Sequence, residues 1–185
     1  MELLKEIKRV SGLKTEGPTI IREAVRGIIL HDHQLLMIHS TLNGDFKFPG
    51  GGCQTGETHQ QTLKREFLEE CGAEMLEFGD AFGKVIEYDL PQETNYALFK
   101  MTSYYYFCQV NLQFFEQTLD DYEAALGFAP VWIKVEDAIR NNQNILQNGN
   151  HAEIFWLNRE IYILHELQKH PGKPHVTQKR TENAI

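Results

Sequence analysis

Cysteine is scarce in this chain of 185 residues, and its three thiols, Cys53, Cys71 and Cys108, form no CxxC pair. Isolated cysteines in odd number argue against a disulfide framework and against a cysteine-ligated zinc site. Free thiols are typical of a reducing compartment, so we expect a cytoplasmic protein.

Long apolar runs and excess positive charge are also missing. No stretch approaches ~18 uninterrupted apolar residues, and the opening MELLKEIKRV has charges where a secretory signal needs an apolar core. We therefore expect no membrane-spanning helix and no membrane partner. The formal net charge of −8 disfavours stable binding to nucleic acid. An anionic substrate would then need local basic residues or a metal ion.

The chain does have enough apolar residues, 42%, to build a substantial core. Strand-like segments at 24–30, 34–40, 81–88, 97–111 and 129–135 are interspersed with helical patterns at about 58–71, 135–146 and 151–168. This order predicts an α/β or α+β fold with a mixed sheet covered by helices. We expect an N-terminal extension at 1–19, one domain at 20–168, and a polar C-terminal tail at 169–185.

The segment PGGGCQTGETHQQTLKREFLEECGA, residues 49–73, combines a glycine loop with an acidic helix. Thr58 and Gln61 fit a capping box, and Gly72 stands where a left-handed C-terminal cap belongs. Glu66, Glu69 and Glu70 fall within about 100° on one helix face, where like charges repel. Clustered carboxylates suit Mg²⁺ or Mn²⁺. The alternative is a solvated acidic helix face behind a glycine turn.

The complete spacing resembles a known family. Gly51, five residues, Glu57, seven residues, then REFLEECGA from Arg65 to Ala73 matches the Nudix box, G-x5-E-x7-R-E-U-x-E-E-x-G-U. Phe67 and Ala73 depart from the bulky aliphatic residues usual at the two U positions, which affects packing more than chemistry. FKFPGGG and FAPVWIKVEDAI are similar to other segments of the family, so the resemblance covers about residues 20–140.

The resemblance implies a Nudix fold and hydrolysis of the pyrophosphate bond in a nucleoside diphosphate linked to a moiety X. It implies Mg²⁺ or Mn²⁺ as cofactor, held by the carbonyl of Gly51 and the carboxylates of Glu66, Glu69 and Glu70. Glu57 would pair with Arg65 and hold the loop against the helix, as a directional Arg–carboxylate pair can do. The substrate class stays open among nucleoside triphosphates, ADP-ribose, nucleotide sugars, dinucleoside polyphosphates and RNA 5′ ends.

Other site residues are predicted outside the motif. Lys47, Arg22 and Arg26 are candidate phosphate contacts, with ordinary surface solvation as the alternative for each. Phe46 is an aromatic that could stack on a base, unless it is a core residue.

The segment LDDYEAALG is predicted as an acidic loop. From it we expect Glu123 to supply a catalytic base, because metal-bound carboxylates are poor bases; a wholly solvated loop is the alternative.

Two function classes follow from the sequence. The first is a metal-dependent Nudix hydrolase that acts on a small nucleotide. Such an enzyme could form a homodimer. The second is a non-catalytic Nudix-fold nucleotide sensor or binding module. A family member without catalytic activity is expected to have lost carboxylates of the motif, whereas this chain keeps Glu66, Glu69 and Glu70. The sequence therefore favours the enzyme.

Overall fold

The computed structural model describes residues 1–148 and 154–170. Its strands are β1 Leu3–Lys8, β2 Thr19–His31, β3 Gln34–Ser40, β4 Phe46–Lys47, β5 Met75–Asp89, β6 Leu98–Val110 and β7 Phe128–Ile133. Its helices are α1 His59–Glu66, which continues as a π-helical turn Phe67–Cys71, α2 Asp121–Leu126, α3 Val135–Asn148 and α4 Leu157–Lys169. None of these helices is long and apolar enough to cross a membrane.

The strands form a mixed sheet in the order β1-β5-β6-β2-β3-β4, and β7 pairs with β3. Strand β2 lies parallel to β6 over the whole stretch from Thr19 to Ile29, while β5 and β6 are antiparallel. Because side chains alternate along β2, Val25 and Ile29 face one side of the sheet, and Arg22, Arg26 and Ile28 face the other.

Each face of the sheet is covered by helices and buries its own apolar cluster. On one face Leu63, Phe67 and Cys71 from α1 and its π-helical turn pack against Val25 and Ile29. On the other face α3 and α4 bury the apolar side chains of Ala138, Ile139, Ile163, Leu164 and Leu167. The predicted mixed sheet between helices is therefore confirmed.

The two caps predicted for the acidic helix are present in the structure. Thr58 caps α1 in a reciprocal capping box with Gln61, and Gly72 ends the π-helical turn with φ +63°. A Cβ at Gly72 would overlap the carbonyl of Phe115, so both the backbone angle and the close approach require glycine.

Two segments differ from the sequence expectations. Residues 3–8 of the expected N-terminal extension form β1, which pairs in parallel with β5. The expected acidic loop contains a short helix, α2, because Asp120 and Glu123 cap each other's backbone N–H groups and Gly127 ends the helix with φ +62°. Of the other expectations, residues 151–153 of the last helix and 171–185 of the tail lie outside the described residues.

Strand β4, which leads into the glycine loop, is fixed to α3 by one buried side chain. The Oδ1 atom of Asn142 accepts the N–H of Phe46 at 2.9 Å, and its Nδ2 atom donates to the carbonyl of Phe46 at 2.8 Å. Asn142 is fully buried, so water cannot replace it in either bond. This amide therefore sets the distance between α3 and the strand before the loop.

Replacing Asn142 with alanine should lower the free energy of unfolding by at least about 2 kcal/mol. The substitution leaves two buried backbone groups unpaired, and each costs roughly 1–3 kcal/mol. Denaturant titration measures the effect. Asn144, exposed on the same helix, is the matched control, and Asn144→Ala should stay within about 0.5 kcal/mol of the wild type. Equal stabilities for the two variants would contradict this account.

Candidate active site

The glycine loop lies directly against the acidic helix. The N–H of Gly50 donates to Oε2 of Glu70 at 2.7 Å, and a Cβ on Gly51 would overlap the carboxylate of Glu66. The carbonyl of Gly51 accepts the N–H of Val25 at 2.9 Å, which leaves its second lone pair available. The absence of a side chain at residue 51 is thus what lets the carboxylate reach the loop.

Three carboxylates converge at the end of this loop. Glu66, Glu70 and Glu123 each offer an oxygen atom, and these atoms lie within 4.8 Å of one another. Glu66 and Glu70 are buried and Glu123 is half-buried. Burial and the neighbouring charge of Glu70 raise the pKa of Glu66. Clustered oxygen ligands of this kind suit a hard divalent cation, so the residues fit the metal that the motif implies.

Glu123 reaches this cluster from α2 on the far side of the site. Its Oε2 atom also accepts the N–H of Asp120 at 3.1 Å, so the capping box holds the side chain in place. Burial, followed by the charge of Glu70, raises the pKa of Glu123 to about 7. The expected position of Glu123 near the acidic helix is therefore what the structure shows.

Arg65 makes the predicted pair with Glu57. Its Nε and Nη2 atoms donate to the two oxygens of Glu57 at 2.9 and 3.0 Å, and the hydrogen bonds from Arg65 lower the pKa of Glu57 to about 2. The Nη1 atom donates to Glu66 at 2.8 Å and to Glu69 at 2.9 Å, and Nη2 also donates to the carbonyl of Gly52 at 3.2 Å. One guanidinium thus binds the loop, the helix and two of the crowded carboxylates.

Glu69 does not join the other predicted ligands in the described structure. Its carboxylate is bound to Arg65 one turn earlier and is 38% exposed, more than that of Glu66 or Glu70. The structure thus brings together Glu66, Glu70 and Glu123 and keeps Glu69 beside Arg65.

Lys47 is held by protein groups rather than left free for a phosphate. Its ammonium donates to Oε1 of Glu70 at 2.5 Å and lies 4.4 Å from the ring centre of Phe128. A phosphate contact of Lys47 stays a prediction; in the structure its ammonium pairs with Glu70 and offsets that charge.

Phe46 is a core residue. Only 9% of its surface is exposed, and its ring packs in the cluster between the sheet and α3 and α4. The expected stacking on a base is wrong, because strand β4 turns this side chain inward. The other two predicted phosphate contacts line a surface cavity; they are Arg22 and Arg26.

A buried ion-pair network behind the loop was not predicted. Glu160 accepts the N–H of Phe48 at 3.1 Å and the guanidinium of Arg159 at 2.8 Å, and Arg159 also binds Glu87. All three charged side chains are buried. The i, i+1 pair Arg159-Glu160 falls inside an apolar helix pattern, which is the one local signal that could have indicated it.

Comparisons with known proteins place this geometry in a family. The family model for the NUDIX domain matches residues 21–174. The chain therefore belongs to the NUDIX family, the family of hydrolases that the motif at residues 51–73 predicted.

Among curated proteins, the RNA pyrophosphohydrolase of Sulfurovum sp. (strain NBC37-1) is 33% identical over 93 residues, which are 45% of this chain and 59% of that protein. The RNA pyrophosphohydrolase of Helicobacter pylori (strain G27) is 34% identical over 58 residues, 31% of this chain and 37% of that protein. The matched segments thus span less than two thirds of these relatives.

Solved structures support the fold. A NUDIX hydrolase from Nitrosomonas europaea aligns with a TM-score of 0.51 at 17% identity, covering 78% of this chain and 90% of that one. A UDP-X diphosphatase aligns with a TM-score of 0.50 at 15% identity, covering 82% and 64%. At this level of identity the likeness concerns architecture alone.

Replacing Arg65 with alanine should speed amide hydrogen exchange at Gln54 and Glu57 by about tenfold or more without global unfolding. The change removes charge-assisted bonds worth roughly 1.5–3 kcal/mol from Glu57, whose carboxylate also accepts the N–H of Gln54 at 2.9 Å. Exchange measured by mass spectrometry or NMR reports this. Lys64→Ala removes an exposed neighbouring charge and should leave the loop unchanged. Unaltered exchange in the Arg65 variant would exclude an anchoring role.

Proposed function

We propose that the protein is a divalent-metal-dependent pyrophosphohydrolase that cleaves a nucleoside diphosphate linked to a moiety X. The observation that carries the proposal is the convergence of Glu66, Glu70 and Glu123 from two separate elements on one point beside the glycine loop. Three carboxylates packed this closely repel one another unless a cation offsets their charge. Lys47 pairs with Glu70 and Arg65 with Glu66, but Arg65 is shared with Glu57 and Glu69, so negative charge remains in excess.

The residues that would hold Mg²⁺ or Mn²⁺ are Glu66 and Glu70, with the carbonyl of Gly51 and with Glu69 as further candidates. When bound, such an ion offsets diphosphate charge and lowers the pKa of a bound water. The metal also explains how a chain of net charge −8 can receive a polyanion. Glu57 and Arg65 are positioning residues in this account, because they fix the loop that carries Gly51 relative to the helix.

Glu123 is proposed to accept the proton from the attacking water. It comes from a different element than the acidic helix, and its carboxylate lies next to two proposed ligands without being part of the motif. Its hydrogen bond to the N–H of Asp120 orients one oxygen and leaves the other available. A base must lie within hydrogen-bond reach of the proton that it accepts, or reach it through one water, and this placement is compatible with either route.

Arg26 is proposed to contact a substrate phosphate. Its Nε and Nη1 atoms are buried and have no hydrogen-bond partner among the described residues, and the guanidinium is close enough to act on the pKa of Glu66. An unpaired guanidinium beside a metal site is suited to a phosphate oxygen. Arg22, exposed on the same face of β2, is proposed as a second contact.

The identity of X has several candidates. The curated relatives are named RNA pyrophosphohydrolases, so a 5′-triphosphorylated RNA end belongs among the substrates to test, although the net charge favours a small nucleotide. Cytoplasmic location and a possible homodimer stay predictions. The alternative function is a nucleotide sensor without turnover. The intact carboxylate set and the placement of Glu123 favour the enzyme.

Hydrolysis should require a divalent metal. The experiment is a screen of nucleoside triphosphates, ADP-ribose, nucleotide sugars, dinucleoside polyphosphates and a 5′-triphosphorylated RNA with Mg²⁺ or Mn²⁺, scored by phosphate-containing products. EDTA should abolish turnover, and Glu66→Gln should weaken metal activation by at least about tenfold. Turnover undiminished in EDTA would refute the metal mechanism. Saturable nucleotide binding without any turnover would favour the sensor.

Replacing Glu123 with glutamine should lower kcat by about 100-fold while changing KM little. Glutamine keeps the cap on Asp120 but cannot accept the proton, and a positioned base contributes roughly 100- to 10,000-fold. Steady-state kinetics on the best substrate of the screen provide the measurement. Asp121→Asn, which removes an exposed charge from the same short helix, is the control and should match the wild type. Wild-type kcat in the Glu123 variant would remove this residue from the mechanism.

A further inference from the structure

A cavity of about 320 Å³ opens on the sheet face that α4 covers. Its walls come from the residue after β1, from β2 and β6, from the loop after β5 and from the start of α4. This volume falls in the range of small-molecule sites, about 300–1,000 Å³. Nothing in the proposed roles of the motif residues accounts for it.

One end of the cavity is cationic and lies on the strand segment that contacts the glycine loop. Arg26 lines it with two buried nitrogen atoms that have no partner among the described residues, and its backbone lies against the loop at Gly50. Arg159 also lines this cavity, but all three of its guanidinium nitrogens donate to Glu87 or Glu160. Arg26 and the exposed Arg22 are therefore available for an anionic group of a ligand, and of these two Arg26 is the one next to the glycine loop.

The rest of the cavity has a mixed lining, in which apolar side chains, among them aromatic rings, stand beside the polar Asp89, Gln92 and Glu93. Phe99, Phe155 and Trp156 contribute rings, and Phe155 is 53% exposed. The guanidinium of Arg9 lies 5.6 Å from the ring centre of Phe155. Exposed aromatic rings and guanidinium planes are the groups on which nucleobases stack. The cavity thus combines an anion site and a ring site in one volume.

Arg9 reaches this ring site from outside the segment that the family model matches, residues 21–174. Its Nη2 atom donates to Glu87 at 2.8 Å and Nη1 to Asp89 at 3.3 Å, while its buried Nε has no partner among the described residues. The two carboxylates hold the guanidinium at the wall of the cavity. Pairing of β1 with β5 brings this arginine to its place.

We propose that this cavity binds the nucleoside monophosphate portion of the substrate, with its phosphate at Arg26 and its base against Phe155, and that Arg9 is a specificity-determining residue supplied by the N-terminal strand. The proposal rests on the proposed function, since it names the part of the nucleotide that this cavity holds. In this proposal β1 has a positioning role, since its pairing with β5 places Arg9 at the cavity.

The test is a binding titration that does not depend on turnover. The chain has two tryptophans, so Trp132→Phe leaves Trp156, at the cavity wall, as the fluorescent reporter. AMP, GMP, CMP and UMP are titrated in EDTA, with ribose 5-phosphate as the probe that lacks a base. At least one nucleotide should change the Trp156 emission saturably and bind at least fivefold more tightly than ribose 5-phosphate.

Variants in the same background locate the binding site. Arg9→Ala and Phe155→Ala should each raise the Kd at least about fivefold, the equivalent of the roughly 1 kcal/mol or more that a base–aromatic contact provides. Lys8→Ala removes an exposed charge from the preceding residue, which does not line the cavity, and should leave the Kd unchanged. Because Arg9 also pairs with Glu87, thermal melts accompany each variant, and Phe155→Ala, at an exposed side chain, decides the question if Arg9→Ala is unstable.

Each outcome of the titration has a defined meaning. No nucleotide binding, equal binding of ribose 5-phosphate, or an unchanged Kd in Phe155→Ala would overturn the cavity assignment, even if hydrolysis with Mg²⁺ proceeds. Tight binding that the Phe155 and Arg9 variants weaken would support the assignment, even if no nucleotide in the screen is hydrolysed. Failure of the proposed function and failure of this inference are therefore distinguishable.

Discussion

The site depends on one buried carboxylate. Glu70 is fully buried, yet it accepts two charge-stabilising bonds, one from the ammonium of Lys47 and one from the N–H of Gly50. A buried charge without partners would be prohibitively unfavourable, so these two groups permit Glu70 to stand beside Glu66 and Glu123. The same bonds fix the glycine loop to the helix. The two bonds to Glu70 therefore set both the position of the glycine loop and the negative potential of the site.

Behind the loop, a second charged network connects distant parts of the chain. Glu160 of α4 binds the backbone of Phe48, Arg159 binds both Glu160 and Glu87, and Arg9 after β1 binds the other oxygen of Glu87. Burial raises the pKa of Glu87, but the two arginines outweigh it and hold that pKa below its usual value. Removing one member of such a buried set costs about 3–5 kcal/mol in typical cases. The N-terminal strand is therefore tied to the loop through charges rather than through apolar contacts alone.

Sequence reasoning succeeded where the signal was local. The capping box of Thr58 and Gln61, the cap at Gly72 and the pair of Glu57 with Arg65 all join residues within eight positions, where capping preferences and the motif spacing give a signal. The short helix α2 was missed although its Asp120 and Gly127 are ordinary capping residues, because its acidic composition also fits a solvated loop.

Long-range features had no comparable signal. The bond from Phe48 to Glu160 spans 112 positions and that from Arg159 to Glu87 spans 72, and neither residue pair is marked by a motif. Strand β1 pairs with β5 by backbone bonds that its sequence does not specify. Phe46 was misread for the same reason: whether an aromatic next to a glycine loop faces a ligand or the core is decided by β4 and Asn142, which only the fold brings together.

The arginines near the cavity separate into two groups by their partners. Arg159 and Arg9 are tied to buried or half-buried carboxylates, so their charge is balanced within the protein. Arg22 and Arg26 have no ion pair among the described residues, and both lie on the face of β2 that points to the cavity. A chain with net charge −8 that keeps two unbalanced arginines at one place concentrates its local positive potential there. Because the glycine loop contacts both Arg26 and the carboxylate cluster, the proposed diphosphate substrate would present phosphate oxygens to the arginine and to a metal ion held by the cluster.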